Sequence, residues 1–452
     1  MKINKKLMFI IKKVLIKVNG MFILVLTKNK YSENEGVYML KNKFCFDKNV
    51  RVFEIEGIKM IGNTANGSII GLDEDGYELV QKLMNDQSLT EEDLNEKTVQ
   101  ILECMKDLGF FGGAGNESKL KAAYLHLTDR CNLNCIGCYS YVENRNTQDV
   151  LPFESICRIL DELTKNGVEE LVFSGGEPFI RKDIADICRY TKEVANIKSL
   201  SVITNGTMLY ERHLDALQYI DILNISIDGY NEETQFIRDK GIMKRIVSNI
   251  EYLKPLVSLN LIATIHKRNL EYAQEYINFA NDLGVRLSFS IFTVDPKNEE
   301  FKDYIFDNKS LVDFSKKVLT FDEDVPIMDM PTGEVCLTCR GNCEVGKEMV
   351  SIAADGSIYP CHMLHDNELR MGNILQDELG SILKSEENVF NSLTVEEVNG
   401  CKDCSYRYLC GGGCRGRSWL YNKTLTDRDS YCPFIKTFYR GTVKRLKETI
   451  AQ

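Results

Sequence analysis

The sequence predicts an α/β protein with a parallel sheet of six β–α units at its centre. A small α+β module precedes it and a cysteine-rich region follows. Three observations carry this reading. Residues 121–294 alternate short strand-like runs with amphipathic helical stretches. Residues 21–112 place strands first and helices second. Residues 334–435 are rich in Cys, Gly and Asp and have little long periodicity.

In the first module, FILVL (22–26) and VYML (37–40) read as strands, and Arg51 to Ile61 continues that texture. Residues 67–85 begin as a strand and become a helix, with Leu79, Val80 and Leu83 at helical spacing. A second helix is expected over 95–108, with Ile101, Leu102, Met105 and Leu108 on one stripe, and GFFGG ends it. The stretch before Met21 invites reading as a signal or anchor, or as a tail ahead of a translation start at Met21, and the sequence leaves open whether residues 1–20 are translated. Its apolar runs are cut by Lys12, Lys13 and Lys17, so no stretch approaches the roughly 20 residues of a membrane span. No small-residue cleavage site follows. The expectation is a cytoplasmic protein without a membrane partner.

In the central region, strands are expected at 122–128, 170–174, 199–205, 222–228, 258–265 and 286–293, with helices such as 152–166 and 269–283 between them. Strands covered on both faces read as continuous apolar runs. Several here alternate instead: Tyr124, His126 and Thr128 share a face, as do Thr264 and His266, and Ser288 and Ser290. A full or partial barrel with a polar lumen, open at the strand C-termini, explains that alternation better than a core packed with Val, Ile and Leu.

Composition narrows the function. The chain has 452 residues, 56 basic and 66 acidic, for a net charge of -10, which argues against a general nucleic-acid binder. Hydrophobic residues make up 44%, enough for a core without covalent staples, yet there are 16 cysteines. In a reducing compartment those thiols are available as metal ligands.

Their spacing says which metal. The segment YLHLTDRCNLNCIGCYS puts Cys131, Cys135 and Cys138 directly after the first strand of the sheet. Three thiolates can hold three irons of a four-iron cluster and leave the fourth open to a substrate or cofactor. A zinc site would usually take a fourth protein ligand, and none lies nearby in sequence. The Cys-x3-Cys-x2-Cys loop resembles that of the radical S-adenosylmethionine (SAM) superfamily. The resemblance implies a [4Fe–4S] cluster whose open iron binds SAM, and a 5′-deoxyadenosyl radical that abstracts hydrogen. Gly137 stands where that family often has an aromatic residue, and Tyr139 follows the third cysteine. Gly175-Gly176-Glu177-Pro178, after the second strand, looks like the family's GGEP motif, which contacts the SAM amino group. By the same resemblance Ser226 and its neighbour Asp228 touch the ribose, Arg238 pairs with the SAM carboxylate, and Tyr139, Thr204 and Asn205 line the site.

The C-terminal region resembles the SPASM domain. Its pattern runs through Cys343 and Cys361, then Cys401-x2-Cys404-x5-Cys410-x3-Cys414, then Cys432. The resemblance implies two auxiliary [4Fe–4S] clusters. Cys343, Cys361 and Cys414 would hold the first, with one more ligand upstream, either Cys336 or Cys339, of which Cys339 is the candidate. Cys401, Cys404, Cys410 and Cys432 would hold the second. If neither upstream cysteine binds, the first auxiliary cluster keeps an open iron that a substrate thiolate could fill.

Auxiliary clusters near the reaction centre can accept an electron, which suits an oxidation that removes two hydrogens. The N-terminal module, read as winged-helix-like, resembles the precursor-recognition element of ribosomal-peptide maturases, which binds a leader peptide as an added strand. The expected function is therefore peptide maturation by oxidative cross-linking, with Cys thioethers as the product. The expected partners are a precursor peptide and a reductase, flavodoxin or ferredoxin as electron donor. Two alternatives remain: an anaerobic sulfatase maturase that forms formylglycine, and a non-catalytic, zinc-stabilised binding protein.

Overall fold

The computed structural model describes residues 14–18, 21–25, 44–112, 119–147, 151–209, 211–322, 325–328, 330 and 337–450. Strands β1 (Val14–Val18) and β2 (Met21–Val25) pair antiparallel. The expected strand at 37–40 and Cys336 lie outside the described residues.

The N-terminal module is an antiparallel meander of β3 (Val50–Ile55), β4 (Ile58–Asn63) and β5 (Ile69–Leu72). Glu56 and Gly57 both have positive φ, 50° and 87°, which fits the two-residue hairpin turn that matches strand twist. Helices α1 (Glu74–Met84) and α2 (Glu96–Asp107) follow, capped by Asp73 and Asn95. One sheet face packs on them through Ile61, Ile70, Leu79, Val80, Leu102 and Met105. The other face, through Phe53, Ile55 and Met60, joins the main core. The sheet is therefore covered on both faces.

The central region runs β6 (Ala122–Thr128), α3 (Phe153–Lys165), β7 (Glu170–Gly175), α4 (Ile184–Glu193), β8 (Ser199–Thr204), α5 (Leu214–Leu217), β9 (Ile222–Ile227), α6 (Met243–Leu253), β10 (Leu259–Ile265), α7 (Ala273–Leu283), β11 (Arg286–Ile291), α8 (Asn308–Val318) and β12 (Ile327–Met328). Strands β6 to β12 are parallel and lie side by side in chain order, while β6 and β12 do not pair with each other. This is the partial barrel expected from six β–α units, extended by the two-residue β12. Each helix buries one stripe on the sheet; α3 buries Ile156, Ile159, Leu160 and Leu163. Burying each such side chain stabilises the fold by about 1.5–3 kcal/mol.

The cysteine-rich region continues the same sheet. Strand β13 (Met349–Ile352) pairs parallel with β6, then β14 (Ser357–Tyr359) and β15 (Gly372–Asn373) add antiparallel. Helices α9 (Leu379–Lys384), α10 (Arg407–Cys410), α11 (Arg415–Asn422) and α12 (Cys432–Ile450) complete the chain. No helix among the described residues is long and apolar enough to cross a membrane. The N-terminal module docks here: Cys339 N–H donates to the Gly67 carbonyl at 2.9 Å, the Phe53 and Tyr408 rings lie 5.1 Å apart, and Tyr406 hydrogen-bonds Glu56.

Candidate functional site

The C-terminal ends of β6 to β11 surround a cavity of about 160 Å³. The strands contribute Tyr124, Ser174, Thr204, Ser226, Thr264 and Ser290. Ile203, Ile262 and Ile291 line it as well, so the lumen predicted from the alternation is part polar and part apolar, and of the residues behind that prediction Tyr124, Thr264 and Ser290 reach it. Ser288 and Asn224 belong to a separate cavity at the opposite strand ends, where Asn260 bridges them at 3.3 and 2.9 Å. His126 and His266 are buried and absent from the lining.

Cys131, Cys135 and Cys138 all line this cavity. Their loop is fixed from several sides. Cys131 N–H donates to Asn146 Oδ1 (3.0 Å), and Ile136 N–H donates to the Ile237 carbonyl (2.7 Å). Gly137 sits at φ 64°, and a Cβ there would lie 2.4 Å from Phe292 Cζ. The loop can turn between Cys135 and Cys138 only because that residue has no side chain. Burial raises the Cys135 thiol to about 11, opposed by the Arg238 guanidinium, whose Nη1 is 3.7 Å from the sulfur.

The glycines after β7 serve the protein before any ligand. A Cβ on Gly176 would lie 2.1 Å from the Arg130 carbonyl oxygen, and Gly175 has φ 116°. The chain there runs against the start of the cysteine loop: Gly176 N–H donates to the Thr128 carbonyl (2.7 Å) and Glu177 N–H to that of Arg130 (2.8 Å). Both glycines line the cavity.

Two acidic residues expected to touch SAM are turned elsewhere. Glu177 is fully buried and outside the lining. Its carboxylate accepts from Phe179 N–H (3.1 Å), Thr204 O–H (2.8 Å) and Asn205 N–H (2.8 Å), and burial raises its carboxyl to about 7. It positions the Asn205 turn. Asp228, also fully buried and outside the lining, accepts at Oδ2 from the N–H groups of Phe236 (2.9 Å) and Ile237 (2.6 Å). It holds the turn that carries Arg238. Both placements share a physical reason: a buried carboxylate goes where backbone N–H groups converge.

Asn205, Ser226, Arg238 and Tyr139 do line the cavity. Asn205 Nδ2 bonds Asn132 Oδ1 (2.9 Å) and lies 3.9 Å from Cys131 Sγ, and the Tyr139 hydroxyl bonds that of Ser174. Arg238 Nε is buried without a hydrogen-bond partner, as is the facing Asp228 Oδ1 at 4.0 Å. Three thiols on an open loop, an arginine on the lining beside Cys135 and strand-end hydroxyls suit an iron–sulfur cluster carrying a zwitterionic cofactor. Nothing in the sequence pattern marks His362 and Met363, which reach the cavity from the cysteine-rich region, or Arg145. Only the pairing of β13 with β6 brings His362 and Met363 there.

The other cysteines form two sets. Cys343, Cys361 and Cys414 act on one another electrostatically; burial raises Cys414 to about 12, opposed by Arg417. Cys401, Cys404, Cys410 and Cys432 line one small cavity beside Asp429. Cys339 joins neither set. A Cβ on Gly62 would lie 2.4 Å from its sulfur, and the charges that reach it are those of Arg51 and Glu396. Its thiol packs between β4 and the cysteine-rich region, apart from the two sets. Among the described residues, no three Cys, His, Asp or Glu side chains are grouped as they would be around a single metal ion.

Comparison with known proteins agrees with this arrangement. Residues 125–280 match the model of the Radical SAM superfamily, and residues 343–405 that of SPASM, an iron–sulfur cluster-binding domain. An uncharacterized protein of Archaeoglobus fulgidus is 28% identical over 71% of this chain and 80% of its own. An AdoMet-dependent heme synthase of Methanosarcina barkeri is 26% identical over 68% and 94%. A cysteine-type anaerobic sulfatase-maturating enzyme of Clostridium novyi is 25% identical over 71% and 94%. Among solved structures, anSMEcpe with bound AdoMet and Kp18Cys peptide has a TM-score of 0.60 at 18% identity, covering 73% of this chain and 98% of its own. Streptococcus suis SuiB bound to its precursor peptide SuiA has a TM-score of 0.57 at 16% identity, covering 86% and 98%. At such identities these structures establish the fold alone.

Proposed function

We propose that this chain, a radical SAM enzyme with a SPASM domain, matures a ribosomally made precursor peptide by oxidative cross-linking, forming thioethers from a cysteine sulfur to carbon. Cys131, Cys135 and Cys138 would hold the SAM-binding cluster. The two auxiliary sets would be Cys343, Cys361 and Cys414, and Cys401, Cys404, Cys410 and Cys432. When bound, the SAM–cluster pair supplies one-electron abstraction of hydrogen from an unactivated carbon. Around it, Arg238 would take the SAM carboxylate, the Gly175–Gly176 backbone its amino group, and Ser226 and Asn205 its polar edges. Glu177 and Asp228 keep those groups in place. His362 and Met363 close the cavity from the SPASM side, next to Cys361, so the first auxiliary site borders the substrate space. That placement suits removal of an electron as the new bond forms.

The observation that carries the peptide reading is the β3–β5 and α1–α2 module docked on the SPASM domain. Its sheet is covered on both faces, while β3 and β5 each pair on one side only among the described strands, leaving edges to which an extended peptide can add. Support for this reading also comes from the SuiB likeness, which covers 86% of the chain against 73% for anSMEcpe. A second reading, formylglycine formation on a sulfatase, is supported by the relative from Clostridium novyi.

The test uses anaerobically purified protein, SAM, a reductant and the precursor peptide with and without its leader. Cross-linking that depends on the leader supports the proposal. Equal activity on leaderless peptide would remove the role given to the N-terminal module, and formylglycine in a sulfatase peptide would favour the second reading.

A further inference from the structure

The cysteine loop is flanked by two guanidiniums, Arg238 partly buried and Arg145 buried, and the function above uses one. Arg238 stands at Cys135. Arg145 stands on the other side, where its neighbour Asn146 accepts from Cys131 N–H at 3.0 Å. Arg145 is 5% exposed and lines the same cavity, yet its Nε and Nη1 have no hydrogen-bond partner. Tyr141 offers only a ring face, at 5.8 Å. The Arg145 charge acts on the Asp129 carboxylate, which lies outside the lining and does not fill these donors, so two empty donors on a buried cation leave a place for an anionic acceptor inside the cavity.

We propose that Arg145 is a second cation of the cluster site, donating to the Cys131 side of the SAM-binding cluster and stabilising its reduced state. The inference rests on the radical SAM reading of this site. With three thiolates, a four-iron core carries about one negative charge when oxidised and about two when reduced. Reduction adds one electron from an external donor and moves no proton. A fixed positive charge beside the cluster therefore favours the reduced form. Arg145 is a positioning and tuning residue here; it leaves the SAM carboxylate to Arg238.

The test is an electron paramagnetic resonance redox titration of full-length, anaerobically reconstituted protein, following the signal that changes when SAM is added. Wild type is compared with Arg145→Gln and Arg145→Lys, with iron and SAM affinity measured on the same samples. The glutamine variant should raise the oxidised-to-reduced ratio at fixed potential about tenfold, a fall in midpoint of about 59 mV for one electron. Lysine, which keeps a displaced charge, should change the ratio about threefold in the same direction and is decisive if the glutamine variant does not take up iron. An unchanged midpoint with iron retained would overturn the proposal. So would a loss of SAM affinity without a shift in midpoint, which would assign Arg145 to SAM. Wild-type protein that takes up no iron would defeat the underlying reading of the site.

Discussion

Asp429→Asn tests how the two auxiliary sites are held apart. Asp429 and Arg417 are 2% and 0% exposed. Asp429 Oδ1 accepts from Arg417 Nε and Tyr431 N–H, both at 2.8 Å. Its Oδ2 accepts from Arg417 Nη2 (2.8 Å) and Cys414 N–H (2.7 Å). One carboxylate thus ties a cysteine of the first auxiliary set to the residue before Cys432 of the second. Asparagine removes the charge that compensates a buried guanidinium, which costs about 3–5 kcal/mol. At about 2 °C per kcal/mol, Tm should fall by roughly 6–10 °C. Pairing it with Arg417→Met removes both charges and leaves one amide oxygen as acceptor. The residual cost is then that of one unsatisfied backbone N–H, about 1–3 kcal/mol. The double variant should therefore be more stable than Asp429→Asn alone, by about 2 kcal/mol. Anaerobic thermal melts of wild type, the two single variants Asp429→Asn and Arg417→Met, and the double variant measure this. An Asp429→Asn protein that melts like wild type, or a double variant no better than the single, would refute the argument.

Three further outcomes follow from the geometry. Because burial raises the Glu177 carboxyl from 4.5 to about 7, the protonated form favours folding. Its contribution is greatest below about pH 4.5 and is lost as pH rises through 7, by up to about 3 kcal/mol. Melts between pH 5 and 8 should show a steeper decline for wild type than for Glu177→Gln, which cannot titrate. Gly137→Ala places a methyl on the Phe292 ring at a left-handed backbone position, costing about 1–3 kcal/mol locally, and iron should fall by about four atoms per chain. Cys339→Ala should leave iron at the wild-type level of about 12 atoms, while Cys343→Ala should remove about four; iron assay of both decides whether Cys339 is packing or ligand.

Much of this was legible in the sequence because it rests on local periodicity. Strands and helices from 122 to 291 fall within a few residues of their expected bounds, since each β–α unit writes its apolar stripe into about 25 residues. The cysteine loop was legible for the same reason: its three ligands occupy eight residues. Roles set by contacts between distant segments were not legible. Glu177 and Asp228 sit in motif positions, but which way their carboxylates face depends on distant donors: the Thr204 hydroxyl and Asn205 N–H, 27 and 28 residues from Glu177, and backbone N–H groups 8 to 10 residues from Asp228. Cys339 lies four residues before Cys343, yet its thiol packs on Gly62, far upstream in the chain. Arg145 has no period or motif, and only burial without a partner marks it.

The central claim is that the Cys131–Cys135–Cys138 loop makes this chain a SAM-cleaving peptide maturase. Incubating anaerobically reconstituted protein with SAM, dithionite and its leader-bearing precursor, followed by mass spectrometry, tests it most directly. The expected result is 5′-deoxyadenosine together with a peptide lighter by two hydrogens per cross-link, both abolished by Cys135→Ala. Protein that carries zinc without iron and leaves SAM and peptide intact would contradict it.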